Sequence, residues 1–236
     1  MNGASSPEVR ALVERSRGHS LSELASNLAD LLVKRKSIVF GVTGPSSVGK
    51  TYFSNELSRE VELRARTVAT INSDSFLLAH LRGKGSFRAN SMRPLGPEDF
   101  DVEFLGESLE RLQQGKAVEY STYIRGEGWH GSRTVQAADI VLVEGLFLDS
   151  VYFLRRIQLE LILVLTANEQ LIAHWRRERD EKIQQTMSRP FRNWVETERE
   201  IERTQQADEI YAREPSSART VTIEVDAERK VSDFTE

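Results

Sequence analysis

Apolar residues occur along this chain in two kinds of run. The first kind is short and unbroken: Ile38-Val39-Phe40-Gly41-Val42-Thr43, Val68-Ala69-Thr70-Ile71, Ile140-Val141-Leu142-Val143 and Leu161-Ile162-Leu163-Val164-Leu165. Such runs lack apolar/polar alternation, which marks strands covered on both faces. A last run over 220–225 reads as one more strand. The second kind recurs every three or four residues. Leu21, Leu24, Ala25, Leu28, Leu31 and Leu32 form one helical stripe. Ser20 and Glu23 stand before it at capping-box spacing, and the basic run Lys34-Arg35-Lys36 suits its C-terminal end. Helical spacing also covers 50–64, 101–114 (Phe104, Leu105, Leu109, Leu112, stopping at Gly115), 168–186 and 190–206.

Strands alternating with helices predict an α/β chain with a mostly parallel sheet flanked by helices on both faces, in three layers. Residues 1–19 are polar and Ser-rich, and read as a flexible or loosely helical N-terminal segment ahead of a single domain over 20–236. The stretch 80–97 carries Gly83, Gly85, Pro94, Gly96 and Pro97, so it reads as a long loop. Residues 120–136, with Gly126, Gly128 and Gly131, read as irregular.

Between the first strand and its helix lies Gly44-Pro45-Ser46-Ser47-Val48-Gly49-Lys50-Thr51, which satisfies G-x-x-x-x-G-K-[ST] in the strand–turn–helix context that pattern needs. This predicts the P-loop NTPase fold. Gly44 and Gly49 permit backbone conformations closed to other residues. Successive N–H groups from Gly44 through Tyr52 then face a polyphosphate, helped by the positive end of the helix dipole. Lys50 is expected to reach the outer phosphates of ATP, and the Thr51 hydroxyl to bind Mg²⁺. A Gly-rich turn fitting by chance is the competing reading, and the flanking strand and helix argue against it.

Two carboxylates join this loop. Glu144 follows the apolar run 140–143, so it lies at the C-terminal strand edge where open α/β sheets bind ligands, and is expected to hold Mg²⁺ beside Thr51. Asp139 begins the same strand and belongs to the opposite edge. Asp74, after the second strand, either accepts a proton from an attacking hydroxyl or merely caps the next helix; its position alone does not separate the two.

In order, GPSSVGKT at 44–51, DSF at 74–76, PEDFD at 97–101 and ADIVLVEG at 138–145 resemble the uridine kinase and phosphoribulokinase-like group of P-loop kinases, to which pantothenate kinases are related. The resemblance spans about residues 36–215. It implies that Asp74 is the catalytic base and that Glu144 serves the metal. It also implies a mobile lid around 175–192 in which Arg176 and Arg179, three apart on one helix face, bind phosphates. Arg213, after Ala207-Asp208-Glu209-Ile210, corresponds to the backbone beside the adenine.

The acceptor side departs from that pattern. Leu95 stands where the uridine kinases carry a ribose-binding aspartate. Tyr123-Ile124-Arg125, His130 and Arg133 replace a Tyr-Asp-Phe and His-x-Arg arrangement. Gln184-Gln185 replaces the Arg-Gly that closes the lid, with Arg189 and Arg192 as candidates to stand in. Tyr123, Arg125, His130 and Arg133 are therefore the candidate acceptor residues together with Asp74. His130 reads equally well as a surface loop residue, and Trp129 as a ring that stacks on substrate or pins its loop.

The expected activity is ATP-dependent phosphorylation of a small-molecule hydroxyl, with a nucleoside as the leading acceptor. The alternative is a nucleotide-binding regulator without transfer activity. A switch GTPase would need Asn-Lys-x-Asp after a late strand, and Thr166-Ala167-Asn168-Glu169 is not that. The net charge of −4 argues against a general nucleic-acid partner, and no run reaches the ~18–20 apolar residues of a membrane span. The absence of cysteine excludes disulfide scaffolds, thiolate metal sites and cysteine nucleophiles. A cytoplasmic location is the default expectation, and homo-oligomerisation is left open.

Overall fold

The computed structural model describes residues 6–35, 37–78, 96–124, 128–186 and 220–235. Among the described residues eight strands carry the architecture: β1 Ile38–Thr43, β2 Val68–Asn72, β3 Val118–Ile124, β4 Gly128–Val135, β5 Ile140–Glu144, β6 Leu161–Thr166, β7 Thr220–Val225 and β8 Val231–Thr235. Six of them form one sheet in the order β2-β5-β1-β6-β7-β8, parallel except for β8 at the edge. β3 and β4 form a separate antiparallel ribbon.

The helices are α1 Ser6–Arg15, α2 Leu21–Leu32, α3 Lys50–Leu63, α4 Val102–Gln113, α5 Val151–Leu154 and α6 Glu169–Thr186. Two apolar cores sandwich the sheet. Ile38, Phe40 and Val42 of β1, Ile140 and Leu142 of β5, and Leu161, Leu163 and Leu165 of β6 face α1, α2 and α3. The alternate residues Val39, Val141, Val143, Ile162 and Val164 face α4 and α5. Strict alternation between two buried faces is why these strands read as unbroken apolar runs. The Ser20 capping box is present, with Glu23 N–H donating to Ser20 Oγ at 3.2 Å and Ser20 N–H donating to Glu23 Oε2 at 2.7 Å.

Three expectations are corrected. The N-terminal segment is not loose over 6–15: Val9, Leu12 and Val13 fall on one face of α1 and are buried in the core beside α2. A polar, Ser-rich flank hides a stripe this short. The stretch 120–136, expected to be irregular, instead contributes to a β-ribbon of β3 and β4, whose register shifts between Ser121 and Thr122. Among the ribbon's residues with described side chains only Val118, Tyr120 and Val135 are buried, and glycines interrupt the sequence, so the period-2 signal is weak. Strand β8 went unread because, of its residues with described side chains, only Val231 is buried. Arg125, Arg189, Arg192, Arg213, Leu95, most of the loop 80–97 and the helix expected over 190–206 lie outside the described residues, as do the side chains of Tyr123, Trp129 and His130.

Candidate active site

Thr43, Asn72 and Glu144 end three neighbouring parallel strands, and register pairs Glu144 with Val42 on one side and Asn72 on the other. The phosphate loop leaves β1 at this edge. Gly44 adopts φ +134°, Ser47 φ +79° and Gly49 φ +107°. A Cβ on Gly44 would lie 2.0 Å from the carbonyl oxygen of Leu165, so the loop packs directly on β6 backbone. Val48, fully buried, anchors the loop into the core. Gly44→Ala should therefore lower stability by about 3 kcal/mol or more, read as a shifted urea-unfolding midpoint, because clash and left-handed strain add.

The Lys50 ammonium is held within the loop, donating to the carbonyls of Gly44 at 2.7 Å and Pro45 at 2.9 Å. Thr51 Oγ1 donates to Glu144 Oε1 at 2.6 Å. Glu144 is 6% exposed, and burial pushes its carboxyl above the ordinary range. The Thr51 hydrogen bond and the Lys50 charge oppose that shift, while the Asp74 charge reinforces it. A hydroxyl and a carboxylate in contact, both hard oxygen donors, fit Mg²⁺, which characteristically takes one or two protein oxygens and completes its shell with water and phosphate. Consistent with that economy, the described residues hold no cluster of three or more His, Cys, Asp or Glu that could hold a metal ion alone.

Asp74 sits in a short 3₁₀ turn, Ser73–Phe76. Asn72 caps this turn, its Oδ1 accepting from the Asp74 N–H at 2.8 Å. The capping duty thus falls to Asn72. Among the described residues no hydrogen bond engages the Asp74 carboxylate, which is half-buried and lines the cavity. The PEDFD stretch pins the same turn from its other end: Asp101 N–H donates to Phe76 O at 2.7 Å and Leu78 N–H to Asp99 O at 2.9 Å. Gly145 is required because a Cβ there would meet Ser73 Oγ at 1.6 Å.

Arg176 and Arg179 of α6 converge, but on the loop itself. Arg176 Nε donates to Ser46 O at 3.2 Å and Arg179 Nη1 to Ser46 Oγ at 2.9 Å. Arg176 is 2% exposed and lies behind the loop, whereas the half-buried Arg179 lines the cavity. The cavity, about 340 Å³, is walled by Ser46, Ser47 and Gly49 to Tyr52, by Asn72 and Asp74, by Glu144 to Leu146, and by Trp175, Arg179 and Arg229. Asp139 is at the far strand edge as expected, accepting from the Thr67 N–H and hydroxyl and paired with Arg66 at 3.2 Å.

The acceptor candidates are less gathered. Tyr123 and His130 lie on the ribbon, opposite Trp129 and Thr122 respectively, and Arg133 lies exposed opposite Tyr120. Arg133 does not line the cavity. The ribbon is nonetheless moored beside Asp74, because Tyr120 packs on Phe76 with ring centroids 5.0 Å apart. Arg229 and Leu146 went unread. An Asp-led turn between two strands was the available signal for the first, and the second simply follows Gly145.

A family model described as "Phosphoribulokinase / Uridine kinase family" matches residues 39–188, a span that includes the loop, Asp74, the ribbon, Glu144 and the α6 arginines. The uridine kinase of Macrococcus caseolyticus is 29% identical over 116 residues, covering 48% of this chain and 54% of that protein. The chain thus spans about half the length of the curated relatives it matches. Among solved structures, a putative fructose transport system kinase from a Silicibacter species superposes with TM-score 0.65 at 16% identity, covering 86% of this chain and 98% of that one. The D-glycerate 3-kinase of Cryptococcus neoformans does so with TM-score 0.65 at 11% identity, covering 92% of this chain and 99% of that one. At these identities the two structures establish the fold.

Proposed function

The chain belongs to the phosphoribulokinase/uridine kinase family, and from that premise we propose that it transfers the terminal phosphoryl group of ATP to a hydroxyl of a small molecule. The observation that carries this reading is the 2.6 Å hydrogen bond between Thr51 and Glu144, in one cavity with Lys50 and an Asp74 carboxylate that no described residue hydrogen-bonds. The donor set of a metal–phosphate site and a carboxylate able to take a proton are thereby within one cleft.

In this reading the backbone amides of 44–52 and the N-terminus of α3 bind the polyphosphate. Lys50 exchanges the carbonyls of Gly44 and Pro45 for phosphate oxygens, and Arg179 adds a second cation facing the cavity. Thr51 and Glu144 hold Mg²⁺, which when bound neutralises charge on the phosphate oxygens. Asp74 orients the acceptor hydroxyl and takes its proton. Arg176, buried against Ser46, positions the loop. A nucleoside is the leading acceptor, since the curated relative named above is a uridine kinase.

The test measures ADP release with Mg·ATP and a panel of nucleosides, sugar phosphates, glycerate and pantothenate-like alcohols. Release that depends on one acceptor supports the kinase reading; tight ATP binding with no acceptor-dependent release sinks it in favour of a nucleotide-regulated binding protein. In calorimetry, Lys50→Ala should weaken Mg·ATP binding by roughly a hundredfold, the worth of a charge-assisted contact.

A further inference from the structure

The β7–β8 turn brings an arginine to the phosphate loop from the flank opposite the carboxylates. Across the sheet, Glu144 ends β5, whereas Arg229 follows β7, three strand steps away through β1 and β6. At ~4.8 Å per step the two lie on either side of the loop that leaves β1. We propose that Arg229 binds the phosphates nearest the nucleoside, as a contact to the part of the nucleotide that does not move in transfer. This rests on the reading above, that the cavity takes a nucleoside triphosphate.

The turn is built to present this side chain. Asp226 Oδ1 accepts from the N–H groups of Glu228 and Lys230, each at 2.9 Å, and Arg229 N–H donates to Asp226 O at 2.9 Å. Arg229 itself is held at φ +60°, a conformation that costs a non-glycine residue energy unless its surroundings impose it. Those surroundings include the α1–α2 junction: Gly18 N–H donates to Val231 O at 2.8 Å, Val231 N–H to His19 O at 2.9 Å, and Arg17 pairs with Asp233 at 2.7 Å.

The guanidinium so placed lies over the Trp175 ring, 4.8 Å from its centroid, and lines the cavity. Its Nη1 is 3.9 Å from where a Cβ on Gly49 would be, and Gly49 is the N-cap of α3. Among the described residues no carboxylate forms an ion pair with it. The positive end of the helix, Lys50 and Arg179 all disfavour a cation at this place, and the carboxylates of the cleft, Asp74 and Glu144, lie at the ends of the strands on the other flank of the loop. The Trp175 face offsets part of that cost, and an anion seated between the guanidinium and the helix N-terminus would reverse it. Arg229 also lies beyond the matched span 39–188, so the family pattern does not supply it.

The contact is made to phosphates present in both ATP and ADP, and it is electrostatic. Arg229→Gln should therefore weaken Mg·ATP, Mg·ADP and magnesium tripolyphosphate alike, by about tenfold each in calorimetry. Arg229→Lys, which keeps the charge, should retain most of the affinity and serves as the folding control, with thermal melts on both variants. Unchanged binding by Arg229→Gln overturns the proposal. So does a loss seen with the nucleotides and not with tripolyphosphate, which would assign the guanidinium to the base. Failure of the unaltered protein to bind any of the three instead removes the kinase reading.

Discussion

Asp74→Asn is expected to lower kcat by about 10²–10⁴-fold while leaving the affinity for Mg·ATP within a factor of about two. The asymmetry follows from position. Among the described residues the hydrogen bond that Asp74 gives the turn comes from its backbone N–H, donating to Asn72 Oδ1, so the turn survives the substitution. The carboxylate lines the cavity, and the proposed phosphate-binding cations, Lys50 and Arg179, are separate side chains of its wall. Asparagine keeps one oxygen that can orient a hydroxyl but cannot take its proton. Alanine loses both functions, so Asp74→Ala should be slower still. The gap between the two variants divides orientation from proton acceptance. Because the phosphoryl transition state is loose and places little charge on the attacking oxygen, orientation is expected to be a substantial share. Steady-state ADP release with the acceptor, alongside calorimetry, provides the measurement; a kcat within severalfold of the unaltered protein would remove Asp74 as the base.

The carboxylates illustrate what a linear reading of this chain can and cannot reach. Glu144 was legible because four apolar residues precede it, and a buried parallel strand can only deliver its last residue to one edge. The phosphate loop was legible because Gly44 and Gly49 occupy conformations that glycine alone takes cheaply, and those constraints write a pattern into sequence. Asp74 was ambiguous on its position alone. The fact that removes the capping alternative, Asn72 capping the turn itself, depends on a side-chain rotamer that spacing does not encode. Arg176 and Arg179 were singled out by the resemblance, and which side of the loop each reaches is a tertiary property that sequence does not encode. Arg229 and the β3–β4 ribbon were missed for a common reason. Both sit on two-stranded or edge structure, where one face is wet and too few apolar positions alternate to set a period. The N-terminal helix was hidden by its flanks, although the turn that follows it helps to hold the hairpin that carries Arg229.

Glu144→Gln is expected to reduce kcat on the order of a hundredfold, raise the Mg²⁺ requirement and at the same time stabilise the ligand-free protein at neutral pH. The two effects have one cause. The carboxylate is needed as a hard, charged oxygen beside Thr51, and its burial makes that charge costly when no cation is present. Its carboxyl is raised above the ordinary value of 4.5, so the folded chain binds this proton more tightly than the unfolded chain does. The corresponding slope is negative: stability is lost as pH rises from about 4.5 through the raised value, and the loss is complete above it. Glutamine has no such dependence and can still accept the Thr51 hydroxyl. The melting temperature of Glu144→Gln should therefore exceed that of the unaltered protein at about pH 7, with the difference shrinking toward about pH 4. Mg·ATP should reverse the ranking at neutral pH, because a ligand that binds only the folded state stabilises whichever protein binds it more tightly. If Glu144→Gln melts lower than the unaltered protein at neutral pH without nucleotide, the buried charge is already compensated within the fold, and Glu144 is a structural partner of Thr51 before it is a metal ligand.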